Sequence, residues 1–443
     1  MLLAVQWTWQ IDGWIILTGA ICAAASALLG NFLVLRRMSL MGDAISHAVL
    51  PGLAAAFLFT GQRQGTAMFL GAAAVGVLTV LLTELARKYG KVEESAAIGV
   101  VFTSLFALGL LMIVRAADRV DLDPDCVLYG ALETAVIDQR PFLGWMVPRV
   151  AIQLLGVLLL NLVFVFCFFR HLKVSTFDPQ LAKSQGVAVS ALHYALAACV
   201  AVTAVASFES VGNILVVAMF VVPPVTAWLL TDRLWLMVTL SVVVGMSASL
   251  LGHWAAKEIP TWFGYGSSNT AGMMAVASGG LLLVALLFAP RKGVLSRAWR
   301  SLQVGVQVLS EDVLAMLYRA ESGGEESLPI NEIRRRLSVS SLRAKLLFWW
   351  LKNRSWIADR NSHLALADAG RVKAQNLVRS HRLWEQYLAS EAGFAPESLH
   401  DDAERLEHFT NRNLRTKLQE ETNAPDVDPH GSPIPPEANS QDS

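Results

Sequence analysis

Read as a string of apolar and polar positions, the chain falls into two parts. Up to Pro290, uncharged runs alternate with short polar breaks at residues 14–35, 44–61, 64–83, 95–114, 150–169, 187–208, 210–231, 234–252 and 270–289. Asp43, at the edge of the second run, and His47, inside it, interrupt the pattern. Each run is close to the ~20 residues needed to span a ~30 Å hydrocarbon core. The pattern predicts about nine transmembrane helices, or eight if one is re-entrant. After Pro290 the long runs stop and amphipathic helical spacing takes over. "EDVLAMLYRA" (311–320) has that spacing. "LPINEIRRRLSVSSLRAKLLFWWLKNRSWI" (328–357) reads as helix, tight turn, helix, and "WIADRNSHLAL" as strand, which together predict a winged helix-turn-helix. A long amphipathic helix over 369–389 and another from about Ser398 follow.

The expected fold class is an all-α polytopic membrane protein with a C-terminal winged helix-turn-helix and a further helical region. The expected division is a transmembrane domain at 1–292, a linker at 293–307, the winged helix at 308–368, the helical region at 369–436 and a disordered tail at 437–443.

Charge refines the picture. No Lys or Arg precedes Arg36, so the first run lacks the basic flank of a cleaved signal and is expected to remain as a span. If it runs from outside to inside, the inner loops collect Arg36, Arg37, Arg87, Lys88, Lys91, Arg170, Lys173, Lys183, Arg233, Arg291 and Lys292. The positive-inside rule then places everything after residue 290 in the cytosol. Net charge is zero, from 36 basic and 36 acidic residues, yet 331–382 carries twelve Lys/Arg against three Asp/Glu and 383–443 carries four against thirteen. That asymmetry predicts two subdomains with different partners. The proline-rich stretch 423–443 is expected to end disordered. Cys22, Cys167 and Cys199 lie in spans and Cys126 in an outer loop, which suggests neither a disulfide framework nor a thiolate metal site. The chain has no G-x-x-x-x-G-K-[ST] loop, so ATP hydrolysis by that route is excluded.

The candidate chemistry begins in "MSLMGDAISHAVLPG" (38–52). Asp43 and His47 are four apart and share one helical face. An ionisable group within a span costs at least ~2.5 kcal/mol and usually faces a pathway or a partner. Pro51 withholds an N–H from the carbonyl of His47. A mixed nitrogen and oxygen set suits Mn, Fe or Zn. Spacing alone leaves equal room for Asp43 as a helix cap and His47 as a satisfied buried side chain.

"LRRMSLMGDAISHAVLPG" (35–52), with "STFDPQLAKSQGV" (175–187), "VGNILVVAMFVVPPVTAWLL" (211–230) and, more weakly, "DLDPDCVLYG" (121–130), resembles the metal-type ABC transporter permeases that import zinc, manganese and iron. The likeness covers about residues 10–292. It implies a bacterial inner-membrane subunit with a cytoplasmic C-terminus, a separate ATPase, an extracytoplasmic metal-binding protein and a second permease, identical or sister. It implies Asp43 and His47 on the transport path, paired across a dimer into a four-ligand site. It also implies an ATPase-docking segment comprising Phe177, Asp178, Pro179, Ala182 and Gly186, with Asp178 and Pro179 starting a short helix. Pro223 and Pro224 free the carbonyls of Met219 and Phe220, and a packing kink is the simpler use.

The tail carries its own pattern. His381 and Glu385 are four apart, and His400, Glu404 and His408 keep that spacing with Glu407 beside them. Such stripes hold metal ions or are simply solvated faces. Residues 308–436 resemble the diphtheria-toxin-repressor family of iron- and manganese-dependent regulators. The resemblance implies a metal-sensing and dimerisation region with ligands at Asp312, His381, Glu385, His400, Glu404, Glu407 and His408. Glu404 stands where the iron-responsive branch has Cys, and a carboxylate favours Mn²⁺ over softer ions. Ala315 falls where the manganese branch has a second acid, which puts a complete two-metal site in question. The sequence stops before that family's optional third domain. Manganese, or iron or zinc, is therefore expected both as cargo and as regulatory ligand.

Arg343 and Lys345, helped by Arg334, Arg335 and Arg336, are candidate DNA contacts. Trp349 and Trp350 replace charged side chains there, and an exposed pair would favour burial against the permease or the bilayer surface. Two rival readings stand beside the importer: a membrane-anchored metal-dependent transcriptional regulator, and an ion-coupled secondary transporter.

Overall fold

The structure, a computed structural model, describes residues 7–38, 41–60, 66–117, 132–142, 144–360, 362–392 and 399–438. It divides into two compact units on either side of the Arg297–Ala298 bond.

The first unit is a helical bundle. Its elements are α1 (Trp9–Leu35), α2 (Met41–Ala48), α3 (Leu50–Thr60), α4 (Thr66–Gly90), α5 (Glu94–Ala117), the short α6 (Leu132–Ala135), a hairpin of β1 (Gln139–Phe142) and β2 (Trp145–Pro148), α7 (Arg149–Phe177), α8 (Pro179–Ser184), α9 (Val189–Val211), α10 (Asn213–Leu230), α11 (Leu234–Trp262) and α12 (Thr270–Phe288). Among the described residues eight helices are long and apolar enough to cross a membrane, and Ile214–Leu230 is a shorter apolar helix. The hairpin, with Phe142 opposite Trp145, was not legible in the apolar pattern.

Helix α1 lies at the centre of this bundle, against α7, α10 and α11. Its small residues, Ala23, Ala24, Ala25 and Ala27, are all buried and let neighbouring backbones come close. Polar side chains lock the contacts: Asn31 Nδ2 donates to Ser241 Oγ at 2.7 Å, and Asn161 Nδ2 donates to the carbonyl of Ala25 at 3.2 Å. Pro224 cannot donate to the carbonyl of Phe220, and that carbonyl faces Gly30, where a Cβ would meet the oxygen at 2.1 Å. The tandem prolines thus serve a close crossing of α1 and α10, in keeping with a packing role.

The second span, Met41–Thr60, counts as one of the eight only as α2 and α3 taken together. It breaks at Val49, so Pro51 lies in the first turn of α3 rather than in the middle of a helix, where its missing N–H costs little.

In the second unit, α13 (Val294–Ser322) is followed by β3 (Leu328–Pro329), α14 (Ile330–Arg336), α15 (Ser341–Asn353), β4 (Ile357–Arg360), β5 (His363–Leu366), α16 (Asp368–Ser390), α17 (Leu399–Glu407) and α18 (Arg412–Glu421). The strands form an antiparallel sheet in the order β3-β5-β4. Val313, Leu314, Leu317, Ile333, Leu347, Leu351, Ile357 and Leu364 close a core between α13, α14, α15 and the sheet, a winged-helix arrangement. Of residues 293–307, expected as the linker, 294–307 are helical and form the first half of α13, where Leu295, Trp299, Leu302 and Val306 recur with helical period.

Of the expected disordered tail, 437–443, the first two residues, Glu437 and Ala438, are held in place. The prolines just before them have no N–H, but their carbonyls accept from α16: Gln375 Nε2 donates to Pro436 O at 2.9 Å, Arg379 Nη1 to Pro435 O at 2.5 Å, and Arg382 to Pro433 O. Glu437 pairs with Arg415 and Arg379. Residues 439–443, like Cys126 and the segment 121–130, lie outside the described residues.

Candidate functional site

On α2 every described neighbour of the acid and the base is buried: Met41, Gly42, Ala44, Ile45, Ser46 and Ala48. Asp43 and His47 open outward, their side chains 44% and 33% exposed, with Nε2 and Oδ1 3.5 Å apart. The imidazole packs against Phe102 and Phe106 of α5, ring centroids 6.0 and 5.9 Å away. The pair thus offers one nitrogen and one oxygen donor, half-exposed and on the same face of α2.

Residues 177–186 hold a short helix started by Asp178 and Pro179. Asp178 Oδ1 accepts from the N–H groups of Gln180 and Leu181 at 3.1 and 2.9 Å, and Pro179 opens α8. Ala182 is fully buried while Phe177 is 63% exposed, and Gly186 turns the chain away with φ +78°. The result is a short capped helix that presents an aromatic side chain.

In the second unit the sequence-predicted ligands assemble into two clusters. In the first, Glu385 Oε1 lies 3.1 Å from both His381 Nε2 and His400 Nδ1, and those two nitrogens are 3.0 Å apart. An octahedral site with bonds of ~2.2 Å has ligand edges of roughly 3.1 Å, so the spacing fits a divalent transition ion. In the second, His408 Nε2 lies 3.3 Å from Asp312 Oδ1 and 3.9 Å from Glu407 Oε1. His381 joins the two, because its Nδ1 sits 2.6 Å from Glu407 Oε2, yet neither atom makes an aligned hydrogen bond. Two buried polar atoms left in this state are what a cation drawing on both residues would resolve.

Electrostatics agree with that reading. Burial pushes His381 and His408 down, but facing carboxylates outweigh it. Glu385 and Glu407 raise His381 to about 9, while Asp312 and Glu311 raise His408 to about 10. Burial pushes Glu385 up, and His381 and His400 bring it down to about 2. Without metal the clusters hold protons where a cation would sit.

Glu404 joins neither cluster. It is exposed and lines, with Asp312, Ala315 and Glu407, a cavity of about 640 Å³. Ala315 is buried and supplies no ligand.

Sequence reasoning missed three things. Glu311 Oε2 accepts from His408 Nδ1 at 2.8 Å and is itself steadied by Lys373 at 3.3 Å, which leaves His408 Nε2 to face Asp312. His430, from the C-terminal segment, approaches Glu385 to 3.9 Å. In the first unit Asp12 holds His253 Nε2 at 3.0 Å and Lys257 Nζ at 2.8 Å, joining α1 to α11. Glu311 was visible only as one of two adjacent acids, and His430 only as a lone histidine in a turn. The expected Trp pair is corrected: Trp349 is 65% exposed, whereas Trp350 packs edge-on against Trp356 with Arg354 over its ring.

Comparison with known proteins matches this geometry. Residues 10–289 match the ABC 3 transport family, and residues 367–436 match the iron dependent repressor, metal binding and dimerisation domain. The chain is 41% identical over 67% of its length to 98% of the manganese transport system membrane protein MntD of Bacillus subtilis. It is 38% identical over 67% of its length to 79% of the zinc transport system membrane protein TroD of Treponema pallidum. Among solved structures, PsaBC from Streptococcus pneumoniae superposes with a TM-score of 0.53 at 28% identity, covering 63% of this chain and 92% of that one. The chain is therefore a member of the ABC 3 transport family of membrane permeases, fused at its C-terminal side to a metal-binding domain of the iron-dependent repressor type.

Proposed function

We propose that this chain is the membrane subunit of an ABC importer for a divalent transition metal, manganese first and zinc or iron next, and that its second unit senses the same metal in the cytosol. The observation that carries the reading is the outward-facing Asp43–His47 pair on an otherwise buried helix. Two permease subunits, identical or sister, would bring two such pairs together, enough oxygen and nitrogen to replace the water shell of a passing ion. The named relatives, which transport manganese and zinc, support that cargo.

A separate ATPase would dock on Phe177 and the capped α8, and an extracytoplasmic binding protein would deliver the ion. The positive-inside count supports an inner-membrane protein with its second unit in the cytoplasm. We place the permease at 1–292, the winged helix at 308–368 and the sensing region at 369–436. Within the sensor, Asp312, His381, Glu385, His400, Glu407 and His408 would hold regulatory metal, with Glu404 lining the adjoining cavity and Glu311 orienting His408. Bound there, the metal would supply positive charge that displaces the two imidazole protons.

The deciding experiment is metal uptake into proteoliposomes containing the permease, its ATPase and its binding protein. Loss of uptake in Asp43→Ala and His47→Ala is expected. Unchanged uptake would leave the rival of a membrane-anchored regulator, and uptake without any ATPase would favour an ion-coupled carrier.

A further inference from the structure

A winged-helix protein reads DNA by placing hydrogen-bonding side chains of its second helix against base edges. The corresponding helix here, α15, presents something else. Leu342, Leu346 and Trp349 are 70%, 60% and 65% exposed. At i, i+4 and i+7 they form one ridge along the helix. The three have a single hydrogen-bond donor between them, the indole N–H. Cations flank the ridge, Arg343 on one side and Lys345 and Lys352 on the other, all exposed. The opposite face, Ala344, Leu347, Phe348 and Leu351, is already buried in the unit's own core, so the ridge is not the unfinished half of a folding contact.

An apolar ridge containing Trp and rimmed by Lys and Arg has the chemistry of a helix that lies in the headgroup region of an anionic bilayer. A second observation names that surface as the occupant. The unit is carried by a chain with eight membrane-crossing helices and is joined to the last of them by α13. The first turns of α13 repeat the pattern, with Leu295, Trp299 and Leu302 at 48%, 65% and 64% exposure. Being tethered, the unit meets lipid at high effective concentration, which lets a weak surface contact persist.

We propose that α15 docks on the anionic surface of the membrane, with Leu342, Leu346 and Trp349 among the headgroups and Arg343, Lys345 and Lys352 paired with lipid phosphates. While docked, the face that would enter a DNA groove is covered. The inference depends on the chain being membrane-embedded and not on which ion it carries, so uptake assays and the following test fail independently.

The full-length protein is placed in nanodiscs of phosphatidylcholine alone or with about one-third phosphatidylglycerol, each doped with a photoreactive acyl-chain lipid, and adducts are mapped by mass spectrometry. Residues 341–353 should be labelled about fivefold more in the anionic discs, and Leu346→Ser with Trp349→Ser should abolish the difference. Both side chains are exposed, and retained metal binding at His381, Glu385 and His400 checks that the unit stays folded. Equal or absent labelling of 341–353, in discs where Arg149–Phe177 is labelled, overturns the proposal. Protection of α15 by duplex DNA with no lipid adducts also overturns it and assigns the helix to nucleic acid.

Discussion

The two candidate ligand sets of this chain use the same side-chain types in opposite ways. Asp43 and His47 are half open, two in number and turned out of their own bundle. His381, Glu385 and His400, with Asp312, Glu407 and His408, are gathered within one unit, mostly buried, with the His408 imidazole held by Glu311. A site proposed to pass its ion onward gains from being incomplete until a second subunit arrives. A site that must report the standing concentration of an ion gains from being assembled beforehand. The difference lies less in ligand chemistry than in what holds the ligands.

That contrast can be broken most directly in the membrane. Asp43→Ala or His47→Ala should lower metal uptake at least about 100-fold, beyond what loss of an orienting partner costs, while metal binding by the second unit stays unchanged. If calorimetry of the full-length protein shows the second unit losing metal in these variants, the two constellations are not separate.

The converse test is Glu311→Gln. It keeps the shape of the side chain but removes the charge that steadies His408. Affinity at the Asp312–Glu407–His408 cluster should fall about tenfold in a metal titration, with uptake intact. No change would mean that Glu311 merely fills space.

Acidity sharpens the comparison further. His381 is raised to about 9 and His408 to about 10 from an ordinary 6.5, so their protonated forms stabilise the metal-free unit. That stabilisation is fully present below pH 6.5 and is lost as pH climbs through 9 to 10. Metal competes with the same protons, so its affinity should rise with pH across that window. Glu385, lowered to about 2, stabilises above its ordinary 4.5, and its contribution disappears as pH falls through about 2. Hydrogen exchange along α16, followed from pH 6.5 upward with and without Mn²⁺, should show loosening without the ion and little change with it. A flat profile in both conditions would remove protons from the account.

The smallest effect is expected at Asp178→Ala. Losing the cap on α8 costs about 1 kcal/mol of local helix stability, enough to reduce ATPase-coupled uptake roughly fivefold and to leave both metal constellations alone.

Much of this was legible in the sequence wherever chemistry and helical period coincide. Asp43 with His47, and His381 with Glu385, are four apart, and a helix alone brings each pair together. The eight long apolar helices follow from length and composition. What escaped depends on elements meeting. Glu311 acquires its role only when the end of α17 crosses α13, and no local spacing announces that. Trp349 and Trp350 are adjacent, and the ~100° between successive helical positions sends one outward and the other into the core, a distinction that composition does not make. Glu404 keeps the four-residue spacing from His400 and His408, yet it lines the cavity instead of joining a cluster. Asp12 lies just outside the first apolar run, so its burial against His253 and Lys257 was invisible until α11 was in place.

The segment 426–438, laid along α16 by Arg379, Arg382 and Gln375, has a consequence for biosynthesis. Ribosomes add about 5–20 residues per second, and these residues emerge after every helix that inserts into the bilayer. A nascent chain can therefore be a finished conduit before it owns a finished gauge. A stalled or clipped product ending near residue 425 would lack the brace on Arg379 and the approach of His430 to Glu385, leaving an importer deaf to its own cargo.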